Sequence, residues 1–326
     1  MTALNTPLVF NPIFQERIWG GRKLEDLFGK NIPAGKRIGE SWEIVDRPEA
    51  QSMVREGPLA DRSLHDLWVN FREEVFGKVR EGPRCEPHGR STGIPRFPLL
   101  IKLLDASEKL SLQVHPDEDV AESLGGEVKS EFWYVAAAEP GAEIYVGLRR
   151  PMARKQFEDA LRSGTVAECV HVIPVNRGDA MFLPSGRFHA IGSGNVLIEV
   201  QQNSDTTYRV FDWNRVDDTG HVRSLHIEEA LQCIDFNDVA PKLIEPQGDL
   251  LIRHDSFIVE KWNLESPREI AAREQWAIVC CLSGSLRCGG ADFLAGRFFL
   301  IPASMPDRQI HPRGEGTSLL RVTIPV

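Results

Sequence analysis

The stretch GDAMFLPSGRFHAIGSGN, residues 178–195, reads as strand, turn, strand. Gly178 opens it, an apolar run follows, and Pro184 closes that run six residues after the glycine. Ser185 and Gly186 make a turn, and His189 enters the next strand. The same grammar returns once. In GRFFLIPASMPDRQI, from Gly296, an apolar strand again reaches a proline, Pro302, six residues on, and small residues follow. A turn glycine, an apolar strand, a proline and small residues, met twice at a long interval, suggest two copies of one β-barrel unit. The copies span about 95–240 and 245–326. They differ in chemistry: the first carries His189, whereas Met305 to Gln309 offer no imidazole and His311 stands alone.

The flanking sequence agrees. FPLLIKLLDA, EFWYVAAA, AEIYVGL, NVLIEVQQ, TTYRVFDW, FIVEKWNL and WAIVCCLSGSL are short, β-branched or aromatic, and set off by Gly, Pro, Asn and Asp. Helical patterns are fewer. SLHDLWVNFREEVF has Ser63 as N-cap with Leu64, Leu67, Trp68 and Phe71 on one stripe. MARKQFEDALRSG ends at a capping Gly164, and SLHIEEALQCI begins at Ser224. Residues 79–96 are a loop by their Gly, Pro and Arg content. The expected fold is mainly β, two barrels with a few helices as insertions or a side layer. The expected division is 1–240 and 241–326, the second unit packing on the first to cover a sheet face.

Composition narrows the partners. A net charge of −9 over 326 residues argues against a nucleic-acid surface, and no apolar run approaches the ~20 residues of a membrane helix. The start MTALNTPLVF lacks the basic and apolar regions of a signal peptide. The six cysteines (85, 169, 233, 280, 281, 288) show no C-x-x-C spacing and suit a reducing cytoplasm as small buried hydrophobes.

Site chemistry starts at LSLQVHPDE, residues 110–118. Alternation puts Leu110, Leu112 and Val114 on one face and Ser111, Gln113 and His115 on the other. In VKSEFWYV, Lys129, Glu131 and Trp133 share a face. With His189 these segments offer an amide oxygen, two imidazoles and a carboxylate. That set suits a divalent transition metal with positions left open. Singly, each residue is as readily a hydrogen-bonded or solvated side chain; together, at barrel strand ends, they make a site. Lys102 lies within an apolar run and needs a counter-charge if buried.

With His189 placed as it is, the Gly178–His189 spacing resembles the second cupin motif, although Asn195 arrives two residues late. SLQVHPDE, KSEFWYV, LPSGRFHAIGSGNVLIEVQQNSDTTYRVFDW, RIWGG and GESWEI together resemble type I mannose-6-phosphate isomerases of the short bacterial form, in family order from residue 17 to about 215. The resemblance implies cupin jelly-roll barrels. It also implies an aldose–ketose isomerase interconverting mannose 6-phosphate and fructose 6-phosphate through an enediol, in the cytoplasm. It implies one Zn2+ per chain on Gln113, His115, Glu131 and His189. It makes Arg209 catalytic, puts Asp205 and Lys129 in the same pocket, and sets Lys102 and Ser111 near the phosphate, with Trp19 and Glu40 at pocket positions. Strand alternation places Asp205, Thr207 and Arg209 on one face, with Tyr208 and Val210 turned into packing. The proton-transfer group stays open among Lys129, Asp205 and a metal-bound water. Longer members carry a helical insertion absent here, and a lysine after the catalytic arginine; Arg215 or Arg187 is the expected replacement. The other readings are a different metal cupin, such as an Fe(II) oxygenase, and a non-catalytic sugar-phosphate-binding protein. The oligomeric state is left undetermined.

Overall fold

A computed structural model describes residues 4–77, 96–216 and 220–325. The loop expected over 79–96, with Cys85, lies almost wholly outside the described residues.

The first barrel is a pair of facing antiparallel sheets. One has six strands in the order Ile13–Gly21, Ile38–Ile44, Leu99–Ala106, Asn195–Gln202, Glu131–Ala138 and Ala180–Leu183. The other runs Tyr208–Phe211, Leu112–Val114, His189–Ile191, Glu143–Leu148 and Val170–Pro174. The second barrel pairs a five-stranded sheet (Leu250–Arg253, Ile258–Asn263, Ser318–Thr323, Ala277–Ser283, Phe298–Ile301) with a smaller one (Arg268–Glu269, Gln309–Pro312, Ser285–Cys288, Ala291–Leu294). The fold is mainly β with the jelly-roll layering of cupins, and helices serve as side pieces.

Why Leu99–Ala106 is apolar almost throughout follows from its place: every residue is buried. Leu99, Ile101 and Leu103 point into a core shared with the second barrel, where they join Phe132, Tyr134, Ile198, Ile278, Leu300 and Leu320. Leu104 and Ala106 point into the first barrel with Trp133, Val135 and Leu197. Alternation persists, but both faces are covered, so a period of two is written in apolar residues. The first barrel's outer sheet is closed by Phe157, Phe188, Tyr208 and Val210 in a separate cluster.

The helices tie the barrels together. Ser63 caps Leu64–Asn70 by accepting from Asp66 N–H at 3.0 Å. The single helix expected there breaks at Phe71 (φ −123°, ψ 24°), and a second runs Arg72–Phe76. The break lets Trp68 and Phe76 meet Phe97 and Trp276 in one aromatic cluster, with centroids 4.9–5.6 Å apart. Gly164 ends Arg154–Ser163 in the left-handed conformation, as its position predicts. The helix expected from Ser224 starts later, at Ile227, because residues 224–226 lie extended against Arg209: its Nη1 donates to Ser224 O and its carbonyl accepts from His226 N–H. Helix Lys23–Phe28 has no strong local signal; its first amide is held by the distant Asp105 carboxylate at 2.7 Å.

Cys169, Cys233, Cys280, Cys281 and Cys288 are free and buried. Among the described residues no helix is long and apolar enough to cross a membrane.

Candidate metal centre and active site

Strand register assembles the site. Arg209 pairs with Gln113, and Gln113 pairs with His189, so three side chains form a row across the outer sheet. On the facing sheet Lys102 lies opposite Glu199, and Glu199 opposite Trp133. Between the sheets is a cavity of ≈ 420 Å³ lined by Arg17, Trp19, Glu40, Lys102, Ser111, Gln113, Lys129, Glu131, Trp133, Glu199, Asp205, Thr207, Arg209 and Arg223, among others.

At its floor His115, Glu131 and His189 are buried, with ligand atoms within 4.8 Å of one another. His115 Nδ1–H donates to Thr206 O at 2.8 Å, and His189 Nδ1–H to Arg187 O at 2.8 Å. A carbonyl can only accept, so both Nε2 atoms present lone pairs to the centre. They face Glu131, at 3.3 Å from His115 and 3.7 Å from His189. His115 Nε2 and Glu131 Oε2 are buried without a hydrogen-bond partner. Lone pairs and a carboxylate turned on one another without a proton between them repel; a cation at the centre removes the conflict. Gln113 lies 3.3 Å from His189 Nε2, and its amide oxygen takes that place if the amide is turned over. The donor set fits a divalent transition metal.

The charges keep this floor ready. Burial, then the Lys129 ammonium, pushes the His115 imidazole down to about 3, and burial lowers His189 too, so both stay neutral. Burial alone would raise Glu131, but the Lys129 ammonium at 2.9 Å holds it well below the usual range.

Deeper on the facing wall, charges are matched in pairs. Lys102 is buried against Glu199 at 3.2 Å and Glu40 at 4.0 Å. Burial would raise Glu40, yet Lys102 and Arg17 bring it to about 2. Glu199 is raised, first by burial and then by Glu131, and accepts from Trp133 Nε1 at 2.9 Å. The counter-charge expected for Lys102 from a phosphate is therefore supplied by the protein's own carboxylates. Arg209 differs: its Nε donates to Ser111 Oγ at 3.3 Å and its Nη1 to Ser224 O at 2.8 Å, and among the described residues no carboxylate lies within 4.0 Å of it.

Trp19 needs glycine beside it. A Cβ on Gly39 would sit 2.7 Å from the Trp19 ring and 2.6 Å from Arg17, so the bare backbone lets both side chains lie across that strand into the cavity. Asn195, late for the motif, fixes a turn instead, donating to Glu143 O and Gly192 O at 3.0 Å.

The structure thus brings the residues expected from sequence to one place, with Asp205 exposed at the rim. It corrects the expected stand-in for the missing lysine. Arg187 is tied to Asp238 at 2.8 Å, away from the cavity wall, and Arg215 lines a neighbouring cavity. Arg223 lies on the wall with Arg17 and Arg209, paired with Asp212 at 2.7 Å. Sequence reasoning also missed Glu199 and Arg17. Glu199 was legible: it interrupts the apolar run 196–200, sharing a face with Leu197 and Gln201. Arg17 and Arg223 carry no pattern that sets them apart from surface arginines.

A family model described as phosphomannose isomerase type I, catalytic domain, matches residues 8–141. A probable mannose-6-phosphate isomerase of Bacillus subtilis, GmuF, is 35% identical over 332 residues, 98% of this chain and 99% of that protein. The mannose-6-phosphate isomerase ManA of B. subtilis is 34% identical over 319 residues, 95% of this chain and 94% of its own length. The crystal structure of the mannose 6-phosphate isomerase from B. subtilis superposes with a TM-score of 0.82 at 33% identity, covering 98% of this chain and 100% of that one. On the strength of full-length identity and a shared fold, this chain belongs to the type I phosphomannose isomerase family.

Proposed function

We propose that the pocket carries out the aldose–ketose isomerisation of mannose 6-phosphate and fructose 6-phosphate, with one Zn2+ per chain on Gln113, His115, Glu131 and His189. The observation that carries this is the convergence of two buried imidazole lone pairs and a carboxylate beside an arginine that has no carboxylate partner among the described residues. The bound metal would supply fixed positive charge to polarise substrate oxygens.

The chain's own residues do the rest. Arg209, held at two of its nitrogens, stabilises negative charge as it builds on the enediol oxygens. A proton must leave one sugar carbon and return to its neighbour. Lys129 and Asp205 line the cavity for this, and Glu199 joins them, since a carboxyl raised by burial is a better proton acceptor at neutral pH. Trp19 gives the sugar an apolar wall. Lys102 with Glu40 forms a matched polar wall for hydroxyls, and the phosphate end falls to Ser111 and Arg223. Asp212 is shared by Arg215 and Arg223, which holds both guanidinium groups on that side of the site. The second unit, 241–326, is read as a degenerate barrel without metal ligands. Free buried thiols favour a cytoplasmic enzyme.

The test is metal analysis of the purified protein together with an isomerase assay on mannose 6-phosphate. One tightly held zinc and turnover lost on its removal are expected. Turnover unaffected by complete metal removal refutes the reading.

A further inference from the structure

The seam between the barrels holds a second cavity, of ≈ 270 Å³, that the isomerase chemistry leaves unused. The two glycines of the internal repeat meet there: Gly178 at φ 101° and Gly296 at φ 77° both line it. Its other walls come from equivalent strands of the two facing sheets, with Tyr134 on one and Ser318 on the other. It is separate from the catalytic pocket. Tyr134 and its neighbour Trp133 face opposite sides of one sheet, the first to the seam and the second to the pocket.

Its charge is unusual for this chain. Arg177 from the first barrel and Lys261 from the second line it, and among the described residues no acidic side chain does. Neither cation has a carboxylate within 4.0 Å among the described residues. Lys261 lies 5.9 Å from the Tyr134 ring centroid, which leaves its positive charge uncancelled. Elsewhere in the second barrel Arg268 pairs with Asp249 at 2.7 Å, and Arg321 pairs with Glu260. In a protein of net charge −9, two uncompensated cations beside one polar cavity form a local anion trap. Ser283 donates to Gly316 O at 2.6 Å and Ser318 donates to Ser283 at 2.7 Å, so these hydroxyls tie one wall together and, among the described residues, the two cations alone face the cavity as charged donors.

We propose that this seam cavity binds a small phosphorylated anion, gripped by Arg177 and Lys261 from opposite barrels. Its volume lies below the roughly 300 Å³ at which drug-sized pockets begin, so the occupant is inorganic phosphate or a short phosphorylated metabolite. A ligand held from both sides also pins one barrel to the other, so its binding raises the thermal transition.

The experiment uses full-length, metal-loaded enzyme. Calorimetric titration with inorganic phosphate, and separately with glycerol 1-phosphate, is run with and without saturating mannose 6-phosphate. The expected wild-type result is a class of sites that the sugar phosphate does not displace. Arg177→Gln/Lys261→Gln should weaken that class at least tenfold and abolish its thermal shift, with kcat and KM unchanged in phosphate-free buffer. Lys261→Arg should keep it, and Arg177→Gln alone gives a second loss-of-charge variant. Preference for glycerol 1-phosphate would identify a metabolite as occupant, and preference for inorganic phosphate the free ion. A single class fully displaced by mannose 6-phosphate, or identical isotherms for wild type and the double variant, overturns the proposal.

Discussion

Lys102→Met separates a buried counter-ion from a substrate anchor. Lys102 and Glu199 have side chains 4% and 5% exposed, with nitrogen and oxygen 3.2 Å apart. Removing one member of a buried pair leaves the other charge uncompensated, which costs about 3–5 kcal/mol. Glu199 has a way out. Its carboxyl is already raised by burial and by Glu131, and losing the ammonium raises it further, so at low enough pH it takes a proton. The folded state then binds a proton that the unfolded state, with an ordinary carboxyl, does not. Stability carried by a raised carboxyl is present at low pH and lost as pH rises through the folded value. The penalty should therefore be larger on the alkaline side of neutrality and shrink on the acid side. Urea unfolding of the metal-loaded protein on both sides of neutrality measures it. Lys102→Met/Glu199→Gln should recover about 2 kcal/mol or more of the loss, because it removes the stranded charge. A loss under about 1 kcal/mol, independent of pH and additive in the double variant, would refute the argument. It would mean that the ammonium is effectively solvated and free for a phosphate.

Three further outcomes follow from the site. His115→Ala and His189→Ala should each lose bound metal and turnover yet keep a cooperative thermal transition, because the barrel core is independent of those side chains; metal content by mass spectrometry and calorimetry check this. Arg209→Lys keeps the charge but loses the planar fork, so steady-state kinetics should show kcat lower by about 10²–10³ with a small change in KM; a large rise in KM at normal kcat would make it a phosphate anchor instead. Gly39→Ala forces a methyl to within 2.7 Å of the Trp19 ring, so it should cost about 1–3 kcal/mol in a denaturant titration and lower kcat/KM by displacing Trp19 and Arg17.

The sequence showed most where chemistry repeats at short range. Alternation in SLQVH, KSEFW and DTTYR aligned the residues that now line one cavity, because side-chain direction in a strand is a local property. It showed least where a contact is long-range. The start of helix Lys23–Phe28 depends on Asp105, 82 positions away, and the break at Phe71 serves an aromatic cluster that includes Trp276. The partner of Lys102 was mistaken for the same reason. The need for a counter-charge was legible within the strand, but Glu199 came from the neighbouring strand, and register cannot be read from one strand alone. Arg223 follows an exposed stretch, His221 and Val222, with nothing to mark it, and only the fold carries it to the cavity wall.

The six-stranded sheet has a further consequence, for how such a protein can change over time. One face serves catalysis, while Leu99, Ile101, Leu103, Phe132, Ile198 and Val200 on the other are sealed by the second barrel. Any lineage that discarded the C-terminal unit would expose that wall to water and to other chains, so the unit cannot be shed although none of its described residues lines the cavity of the metal centre. Nor can it be exchanged freely, since a replacement must match the knobs of a sheet whose reverse side is under selection for chemistry. Adjacent codons in these strands answer to different masters: Ile198 to the partner barrel, Glu199 to the cavity. Two barrels joined in this way become a ratchet: each half is retained as the wall that the other leans on.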